Sequence, residues 1–450
     1  MNELSLPPAV ELREQVGRLE ALGAQLTRDE QHEDAERIFR EIVRVAPRHA
    51  SALHYLGGRA LLRGDLDEAQ TLFERTIRIA PRAAMTHQNL GIVLRARGYP
   101  EGALQAFDIA LKLRPDLTMA WVQRGDVLQA LARREEAVAS YKRAEDLCGD
   151  LRILVSAAPE ASRTRRSVQR ALVHLARARL TVAAEALAPL GRRDAPSALE
   201  RIEPTIRHMC HAARPAYADP LQQPAYAYVP GLDARPFFER GEFPFLAALE
   251  QKTDAIRREL RDVLTEREEL APYVQMPKDH EGLWRELNRS PKWSSYHLYR
   301  EGVRVPAHCE RCPQTLAAVE ALPLVRMEGH APEIFFSILE PGTHIPPHHG
   351  IANYKLAVHL PLVIPPRCSI RVGDETRTWK PGKCLVFDDS YEHEAWNRSG
   401  ELRAVLIFEV WNPALSAAER EALATAQTAL SRFNRKMAAL AGNSLSARSA

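Results

Sequence analysis

The amino-acid sequence predicts a multidomain protein of mixed α and β class, in which an all-α repeat solenoid is followed by a β domain with flanking helices. Residues 10–150 repeat small, aromatic and proline residues at an interval of 34, which is typical of stacked helix pairs. Residues 333–413 contain short runs of strand-forming residues separated by Pro/Gly turns, which is typical of a β sandwich or barrel. A chain of 450 residues is long enough for more than one domain.

The repeat region, predicted as a domain at 10–150, resembles tetratricopeptide repeats in its period and in the order of its residues. We expect the small residues to let two helices approach closely, the aromatic residue to fill the gap between repeats, and proline to end the second helix. The repeated positions are Gly23, Gly57, Gly91 and Gly125; Ala35, Ala69, Ala103 and Ala137; Phe39, Phe73, Phe107 and Tyr141; and Pro47, Pro81 and Pro115.

A solenoid of this kind has a concave groove, which commonly binds a peptide. We therefore expect the groove to hold a peptide or protein substrate, with a rigid spacer or a dimerisation arm as the alternative. Residues 151–236 are predicted as a helical cap followed by an ordered Pro-rich linker, and residues 416–450 as a C-terminal helix and tail.

The β domain is predicted at 237–415, with helices at 245–264 and 315–322 before its main strands. Its strands are predicted at 293–299, 334–339, 354–364, 369–372, 384–387, 394–396 and 402–411. Within two of them polar and apolar residues alternate, so that Lys355 and His359 share one strand face and Arg403 and Glu409 share another. We expect the apolar faces to pack on helices and Lys355, His359 and Arg403 to point into the mouth of a small barrel.

Composition limits the kind of partner. The formal net charge is +3 and charged residues make up 26% of the chain, which indicates neither a nucleic-acid partner nor a membrane partner. The sequence has no apolar run of about 18 residues, the length that a membrane-spanning helix needs. The first residues, MNELSLPPAVELREQ, carry acids and prolines where a secretory signal would have an apolar core. We therefore expect a cytoplasmic protein.

The six cysteines fit that compartment. Cys309 and Cys312 form a C-x-x-C motif, but the sequence has no second pair at the spacing of a zinc site. We favour free thiols here over a structural metal or a redox role.

Five ordered blocks of the β domain resemble the aspartyl/asparaginyl β-hydroxylases. This family consists of iron(II)- and 2-oxoglutarate-dependent oxygenases built on a double-stranded β-helix, a jelly-roll or cupin-like fold. The resemblance covers roughly residues 230 to 415. The blocks are PHHG at 347–350, NYKLAVHLPLVIP at 353–365, GDETRTWKPGK at 373–383, FDDSYEHEAW at 387–396, and LR with FEVWNP within 402–413.

The resemblance implies a role for each candidate site residue. His348 and His393 match the two metal ligands, Arg403 matches the arginine that binds 2-oxoglutarate, and Ser337 matches its hydroxyl partner. Imidazole ligands with open coordination positions suit non-haem Fe(II), and a guanidinium binds a carboxylate bidentately. We expect His359 to contact the cosubstrate or a metal ligand. His349 is expected to point the other way.

Two departures from common oxygenase patterns bear on the ligands. Gly350 stands where the usual facial triad has a carboxylate, so Asp388 and Asp389 are candidates either for a third ligand or for turn and ligand-orienting roles. Better-known animal members of the family carry an arginine at the place of Ala357, where it helps to hold the cosubstrate. We expect Lys355, two residues earlier, to replace it in part.

The activity implied by the resemblance is hydroxylation of an aliphatic carbon with O2, coupled to conversion of 2-oxoglutarate to succinate and CO2. The repeats favour the β-carbon of Asp or Asn in a peptide or protein as the target. The alternatives are a catalytically inactive repeat-scaffold binding module and a hydroxylase of a small molecule or a lipid acyl chain.

Overall fold

The computed structural model describes residues 9–159, 162–191, 196–265, 267–276 and 281–446. The end of the predicted C-terminal tail, residues 447–450, lies outside them. The described residues form two compact units, one within 1–175 and 434–450 and the other within 176–433. None of the described helices is both long and apolar enough to cross a bilayer.

The first unit contains the predicted repeat array as antiparallel helix pairs. Four pairs follow one another, each formed by consecutive helices. The helices are α1 (Ala9–Arg28), α2 (His32–Val45), α3 (Ala50–Arg63), α4 (Leu66–Ile79), α5 (Ala84–Ala96), α6 (Pro100–Leu113), α7 (Thr118–Ala130) and α8 (Arg134–Cys148), followed by α9 (Leu151–Ala157) and the start of α10 (Arg163–Gly191). The helical repeat prediction is confirmed.

The repeated glycine makes room for the repeated aromatic residue. A Cβ atom added to Gly57 would lie 2.7 Å from Cε1 of Phe73, and one added to Gly125 would lie 2.3 Å from Cε1 of Tyr141. Each aromatic ring therefore packs against the first helix of its own pair, in a space that a side chain would occupy. Phe73 also shares a buried cluster with Val93 of the next pair, so the ring joins successive repeats as expected.

The second unit is built on two antiparallel sheets. The larger sheet has the strand order β1-β10-β7-β12-β5-β3-β2, with β4 beside β3, and the smaller has the order β6-β11-β8-β9. The strands are β1 (Phe237–Phe238), β2 (Ala271–Pro272), β3 (Trp293–Arg300), β4 (Val303–Arg304), β5 (Ile334–Leu339), β6 (His344–His348), β7 (Lys355–Val363), β8 (Cys368–Val372), β9 (Glu375–Arg377), β10 (Leu385–Phe387), β11 (His393–Asn397) and β12 (Arg403–Trp411). The predicted C-terminal sheet domain is confirmed.

Strand β6 was missed by the sequence prediction because it contains Pro346 and Pro347. Proline has no backbone N–H to donate to a neighbouring strand, and it is tolerated at the edge of a sheet. Strand β6 is such an edge strand, paired on one side with β11.

The alternation expected for β7 and β12 is present. Leu356 and Val358 of β7 and Leu406 and Phe408 of β12 are fully buried in the main core of this unit. That core also includes side chains from helices on the same face of the sheet. The unit's helices are the end of α10, α11 (Pro196–Met209), α12 (Leu246–Glu250), α13 (Thr253–Thr265), α14 (Pro306–Arg311), α15 (Pro313–Glu320) and the start of α16 (Ala417–Ser446).

One predicted helix before the sheets differs from the structure. The predicted helix 245–264 is two helices, α12 and α13, and the Thr253 hydroxyl donates to the Glu250 carbonyl where they meet. The boundary between the two units, at residues 175 and 176, falls within the predicted segment 151–236.

The Pro-rich segment before β1 is ordered against the sheets. The Asn353 side chain bonds both backbone groups of Val229 at 2.7 and 2.9 Å, and the Gln222 amide donates to the Asp388 carboxylate at 2.8 Å. The backbone N–H of Asp388 in turn donates to the Pro236 carbonyl. This segment therefore holds the loop that leads into β11.

We expect Gly57→Ala and Gly58→Ala to change stability in opposite directions, although the two glycines are neighbours in α3. Alanine favours a helix over glycine by about 1 kcal/mol, and a Cβ on Gly58 meets nothing within 4 Å. A Cβ on Gly57 would displace the buried Phe73 ring, and such overpacking costs about 1–3 kcal/mol. Urea unfolding of the full chain, followed by far-UV circular dichroism, measures both. Equal stability of the two variants would contradict the packing described.

Candidate active site

The second unit contains a cavity of about 670 Å³ lined by strands of both sheets. It brings together side chains that are far apart in the sequence. Among them are Lys355, His359 and Arg403, which strand alternation predicted at inward-facing positions. All the predicted site residues line it, namely Ser337, His348, Lys355, His359, His393 and Arg403.

His348 and His393 lie directly opposite each other on neighbouring strands. They are paired residues in the antiparallel ladder of β6 and β11, and their ring centroids are 4.1 Å apart. His348 Nδ1 donates to the Pro346 carbonyl at 2.8 Å, and His393 Nδ1 donates to the Tyr391 carbonyl at 3.0 Å. A carbonyl oxygen can only accept, so each neutral ring carries its proton on Nδ1 and its lone pair on Nε2.

Burial keeps both imidazoles uncharged. It lowers the pKa of His348 and lowers that of His393 to about 3. A neutral imidazole with a free Nε2 is the form that binds a divalent metal, so the pair fits a metal ion. Within the described residues, no group of three or more His, Cys, Asp or Glu side chains has the arrangement of a metal site. The two histidines are thus not joined by a carboxylate ligand there.

Asp388 and Asp389 face in different directions. Asp388 is fully buried and accepts hydrogen bonds from the Ser390 backbone and hydroxyl and from Gln222, so it holds the turn before β11. The carboxyl group of Asp389 lines the cavity and fills the space beside Gly350, where a Cβ would lie 2.4 Å from its Cγ. Burial raises the pKa of Asp389 to about 6, and one of its oxygens has no hydrogen-bond partner.

Arg403 is a buried cation that has no carboxylate partner among the described residues. Its side chain is 1% exposed, and none of the described carboxylates forms an ion pair with it. One guanidinium nitrogen donates to Ser337 Oγ at 3.3 Å, and the group lies 4.8 Å from the centre of the Trp379 ring. Burial lowers the pKa of Arg403 to about 10, which leaves it charged near pH 7. A buried charge without a counterion is costly, so this end of the cavity fits an anionic ligand.

His359 supplies a second donor at the same end. The Trp379 indole N–H, which can only donate, bonds His359 Nδ1 at 3.3 Å. Burial, with a contribution from Arg403, holds the pKa of His359 well below its usual range. The neutral ring therefore carries its proton on Nε2. Ser337 is oriented in a similar way, since the Trp293 indole donates to its hydroxyl at 3.1 Å.

Lys355 also faces the cavity, but its ammonium group is already engaged. It forms an ion pair with Glu409 of β12, and both side chains are buried. Glu409 stands opposite Ala357 in the β7–β12 ladder. Lys355 therefore meets a carboxylate of the protein itself, rather than lying free to replace an arginine at 357.

His349 lines the cavity as well, contrary to expectation, because β6 ends at His348 and the strand alternation ends with it.

Sequence reasoning missed the tryptophans that orient the site. Trp284 meets the His348 ring edge-on at 5.0 Å, and Trp293 and Trp379 donate to Ser337 and His359. Trp379 belongs to one of the quoted sequence blocks, but nothing in the sequence pairs it with His359, 20 positions earlier.

The six cysteines are unpaired, and Cys309 and Cys312 are both buried.

Two family models match the chain. Residues 250–413 match aspartyl/asparaginyl beta-hydroxylase, and residues 120–150 match tetratricopeptide repeat. The resemblance inferred from the sequence is confirmed, and the matches support hydroxylase activity for the region that contains the cavity.

Curated relatives match about the same region. Aspartyl/asparaginyl beta-hydroxylase of Homo sapiens is 36% identical over 199 residues, which are 43% of this chain and 25% of that protein. Ornithine lipid ester-linked acyl 2-hydroxylase of Rhizobium tropici is 35% identical over 186 residues, 41% of this chain and 63% of that protein. Aspartate beta-hydroxylase domain-containing protein 2 of Homo sapiens is 31% identical over 208 residues, 45% and 54% of the two chains. The chain therefore spans from a quarter to less than two thirds of these relatives.

Similar solved structures include proteins with repeats. The crystal structure of MamA has a TM-score of 0.28 and 23% identity, covering 29% of this chain and 77% of that one. YrrB, a tetratricopeptide-repeat protein with an unusual peptide-binding site, has a TM-score of 0.29 and 17% identity, covering 36% and 89%. Scores this low support no conclusion about function.

We expect Lys355→Met to destabilise the protein strongly and the double variant Lys355→Met/Glu409→Gln to recover most of the loss. Removing one partner of a buried ion pair costs about 3–5 kcal/mol because the other charge stays buried alone, whereas removing both charges is often nearly neutral. Thermal and urea unfolding of the full chain measure the stability of the wild-type chain, the single variant and the double variant. Lys380→Met, at an exposed position, is the control. A single Lys355 variant as stable as this control would refute the ion-pair assignment.

Proposed function

We propose that the aspartyl/asparaginyl β-hydroxylase region of this chain is an Fe(II)- and 2-oxoglutarate-dependent dioxygenase that hydroxylates an aliphatic carbon. The observation that carries the proposal is the buried Arg403, which lacks a carboxylate partner among the described residues and shares one cavity with two Nδ1-tethered histidines. Such a cavity offers a metal site and an anion site side by side. A metal-chelating dicarboxylate such as 2-oxoglutarate needs both.

His348 and His393 would hold the iron through their Nε2 atoms. Imidazole is a suitable ligand for Fe(II), and with two protein ligands most coordination positions stay open to cosubstrate, O2 and water. Iron, when bound with 2-oxoglutarate and O2, supplies the oxidising power for C–H hydroxylation, and the cosubstrate leaves as succinate and CO2. The carbonyls of Pro346 and Tyr391 keep both rings oriented for this task.

Arg403 would bind the far carboxylate of 2-oxoglutarate. Its guanidinium fork matches a carboxylate bidentately, and the Ser337 hydroxyl and the His359 Nε2–H are additional donors. The Trp379 ring lies against the guanidinium and fixes the His359 tautomer at the same time. The protein thus contributes charge, orientation and exclusion of water, while the oxidation itself belongs to the cofactor.

Asp389 would act near the metal without replacing a ligand. Its carboxyl group borders Gly350 and has an unpaired oxygen, so it can accept a hydrogen bond from a water molecule on the metal. The two sheets around the cavity fit the double-stranded β-helix that the sequence resemblance implies.

The target we propose is the β-carbon of Asp or Asn in a peptide or protein, with the repeat groove contributing to recognition. The aspartyl/asparaginyl family match supports this target. Hydroxylation of a lipid acyl chain is a second candidate, supported by the Rhizobium tropici relative and by the exposed apolar side chains of Tyr273 and Ile351 at the cavity.

We expect His348→Ala and His393→Ala each to abolish succinate formation from 2-oxoglutarate and to remove stoichiometric Fe(II) binding. Each substitution deletes one of two metal-binding Nε2 atoms. His344→Ala is the matched control, because His344 lies on the same strand β6 but is exposed and bonded to Glu394. Retention of metal and turnover in either variant would show that the metal lies elsewhere. A wild-type chain that binds iron but makes no succinate would support an inactive binding module.

We expect Arg403→Lys to raise the KM for 2-oxoglutarate by about tenfold or more. Hydrogen bonds to a charged group contribute about 1.5–3 kcal/mol, and lysine keeps the charge while losing the bidentate fork. Arg398→Lys, at an exposed position before β12, is the control. Succinate formation at varied 2-oxoglutarate gives the KM, and an unchanged value would remove Arg403 from the cosubstrate site.

A further inference from the structure

The cavity has an acidic end away from Arg403. Glu301, Glu333 and Glu409 line it, and we call it the acidic end. Glu409 lies near the far end of β12, which begins at Arg403, and Glu333 directly precedes β5, whose Ile334 pairs with Phe408. Asp389 also lines the cavity. Among the described lining residues, Lys355 is the cation that remains once Arg403 is assigned to the cosubstrate. The negative charge at this end exceeds the positive charge.

Glu409 shows that this charge is arranged for a ligand. Its side chain is 10% exposed and one carboxylate oxygen bonds Lys355, but the other, Oε2, is buried and has no hydrogen-bond partner among the described residues. Buried polar atoms are usually paired, and an unpaired acceptor costs about 1–3 kcal/mol. Because Glu409 lines the cavity, a donor on a bound molecule can satisfy Oε2.

Lys355 alone does not neutralise its surroundings. Burial opposes its charge, yet the pKa of Lys355 is raised, because Glu409, Asp389 and Glu333 all lie near its ammonium. Lys355 is one cation beside three carboxylates, so the remaining negative charge can bind a second cation. His330, a neighbour on the cavity wall, does not supply it, since burial lowers the pKa of His330 to about 4.

Glu333 and Glu301 extend the acidic surface outward. Glu333 is half-buried, and one of its oxygens accepts the backbone N–H of Glu301. Its other oxygen lies 3.3 Å from His297 Nδ1. The Glu301 side chain is exposed. A charged group entering from solvent would therefore pass carboxylates that are progressively more buried.

Aromatic rings line the cavity beside these carboxylates. Tyr273 stacks on Trp293 at 4.1 Å and on Phe335 at 5.4 Å between ring centroids. Aromatic surfaces of this kind cover the methylene stem of a lysine and attract its ammonium. The surroundings do not suit an anion, because Ala357 provides no charge and Lys355 is held by Glu409.

We propose that the acidic end binds a primary ammonium group of the substrate. In a peptide substrate, this group belongs to a lysine side chain close to the residue that is hydroxylated. Oε2 of Glu409 accepts from the ammonium, and Glu333 and Glu301 attract it from solvent. The identity of the ammonium as part of a peptide substrate rests on the proposed function. Under this proposal a neutral asparagine target next to lysine is preferred to an aspartate target with acidic neighbours.

The first test uses n-butylammonium as a probe on the full chain, with n-butanol and butyrate as size-matched controls. Binding is followed by tryptophan fluorescence, since Trp284 and Trp293 line the cavity. We expect a saturable response to n-butylammonium alone. We expect Glu333→Gln and Glu301→Gln each to weaken it, with about a tenfold loss in the double variant, the equivalent of one charge-assisted hydrogen bond. Glu401→Gln, an exposed carboxylate outside the cavity, is the matched control.

These two glutamates are chosen because Glu409→Gln would leave Lys355 buried without a partner. The proposal is overturned if n-butanol binds as well as n-butylammonium, or if the double variant binds the probe as the control does.

The second test uses asparagine peptides with Lys, Gln or Glu beside the target, bound under nitrogen with Fe(II) and 2-oxoglutarate. The lysine peptide should bind about tenfold more tightly than the glutamine peptide and displace n-butylammonium.

Equal binding of the three peptides overturns the assignment of the ammonium to a peptide lysine. Succinate formation in air is measured separately. Its absence with intact n-butylammonium binding would refute the proposed enzyme activity and leave the cation site standing. Succinate formation combined with equal binding of n-butylammonium and n-butanol would support the proposed enzyme activity and refute the cation site.

Discussion

The site depends on one backbone constraint, the antiparallel pairing that sets His348 opposite His393. Each ring is tied through Nδ1 to a carbonyl two residues earlier, so both Nε2 atoms are left free by the same local geometry. The loop before β11 is held from outside by the Pro-rich segment, through Gln222 on Asp388. The histidine pair is therefore oriented by main-chain structure as well as by packing.

Strand alternation divides the same strands between stability and chemistry. One face of β7 and β12 packs into the core on the helices, and the other carries the charges of the cavity. Those charges are separated along β12, with Arg403 at its start and Glu409 near its end. Under the proposed function, this separation would place an anionic cosubstrate at one end and a cation at the other, and burial would strengthen both interactions.

Local patterns in the sequence were enough to predict much of this site. Contacts between residues that are distant in the sequence could not be predicted. The alternation in β7 was enough to predict that Lys355 and His359 face inward, and the interval of 34 residues was enough to predict the helix pairs. The partner of Lys355 could not be predicted, because Glu409 is 54 residues away and the strand register that joins them is set by the whole sheet. Strand β6 was hidden by its prolines, and the direction of His349 depended on where that strand ends.

The contact between Gly350 and Asp389 couples two positions of the proposed metal site. A facial triad would need a carboxylate side chain at 350, but any Cβ there collides with the Asp389 carboxyl group. A side chain at 350 would require the Asp389 carboxyl group to turn away, and shortening residue 389 would open the same space. A variant that carries a carboxylate at 350 should therefore be combined with a change at 389. The glycine and the aspartate are best treated as one unit in redesign.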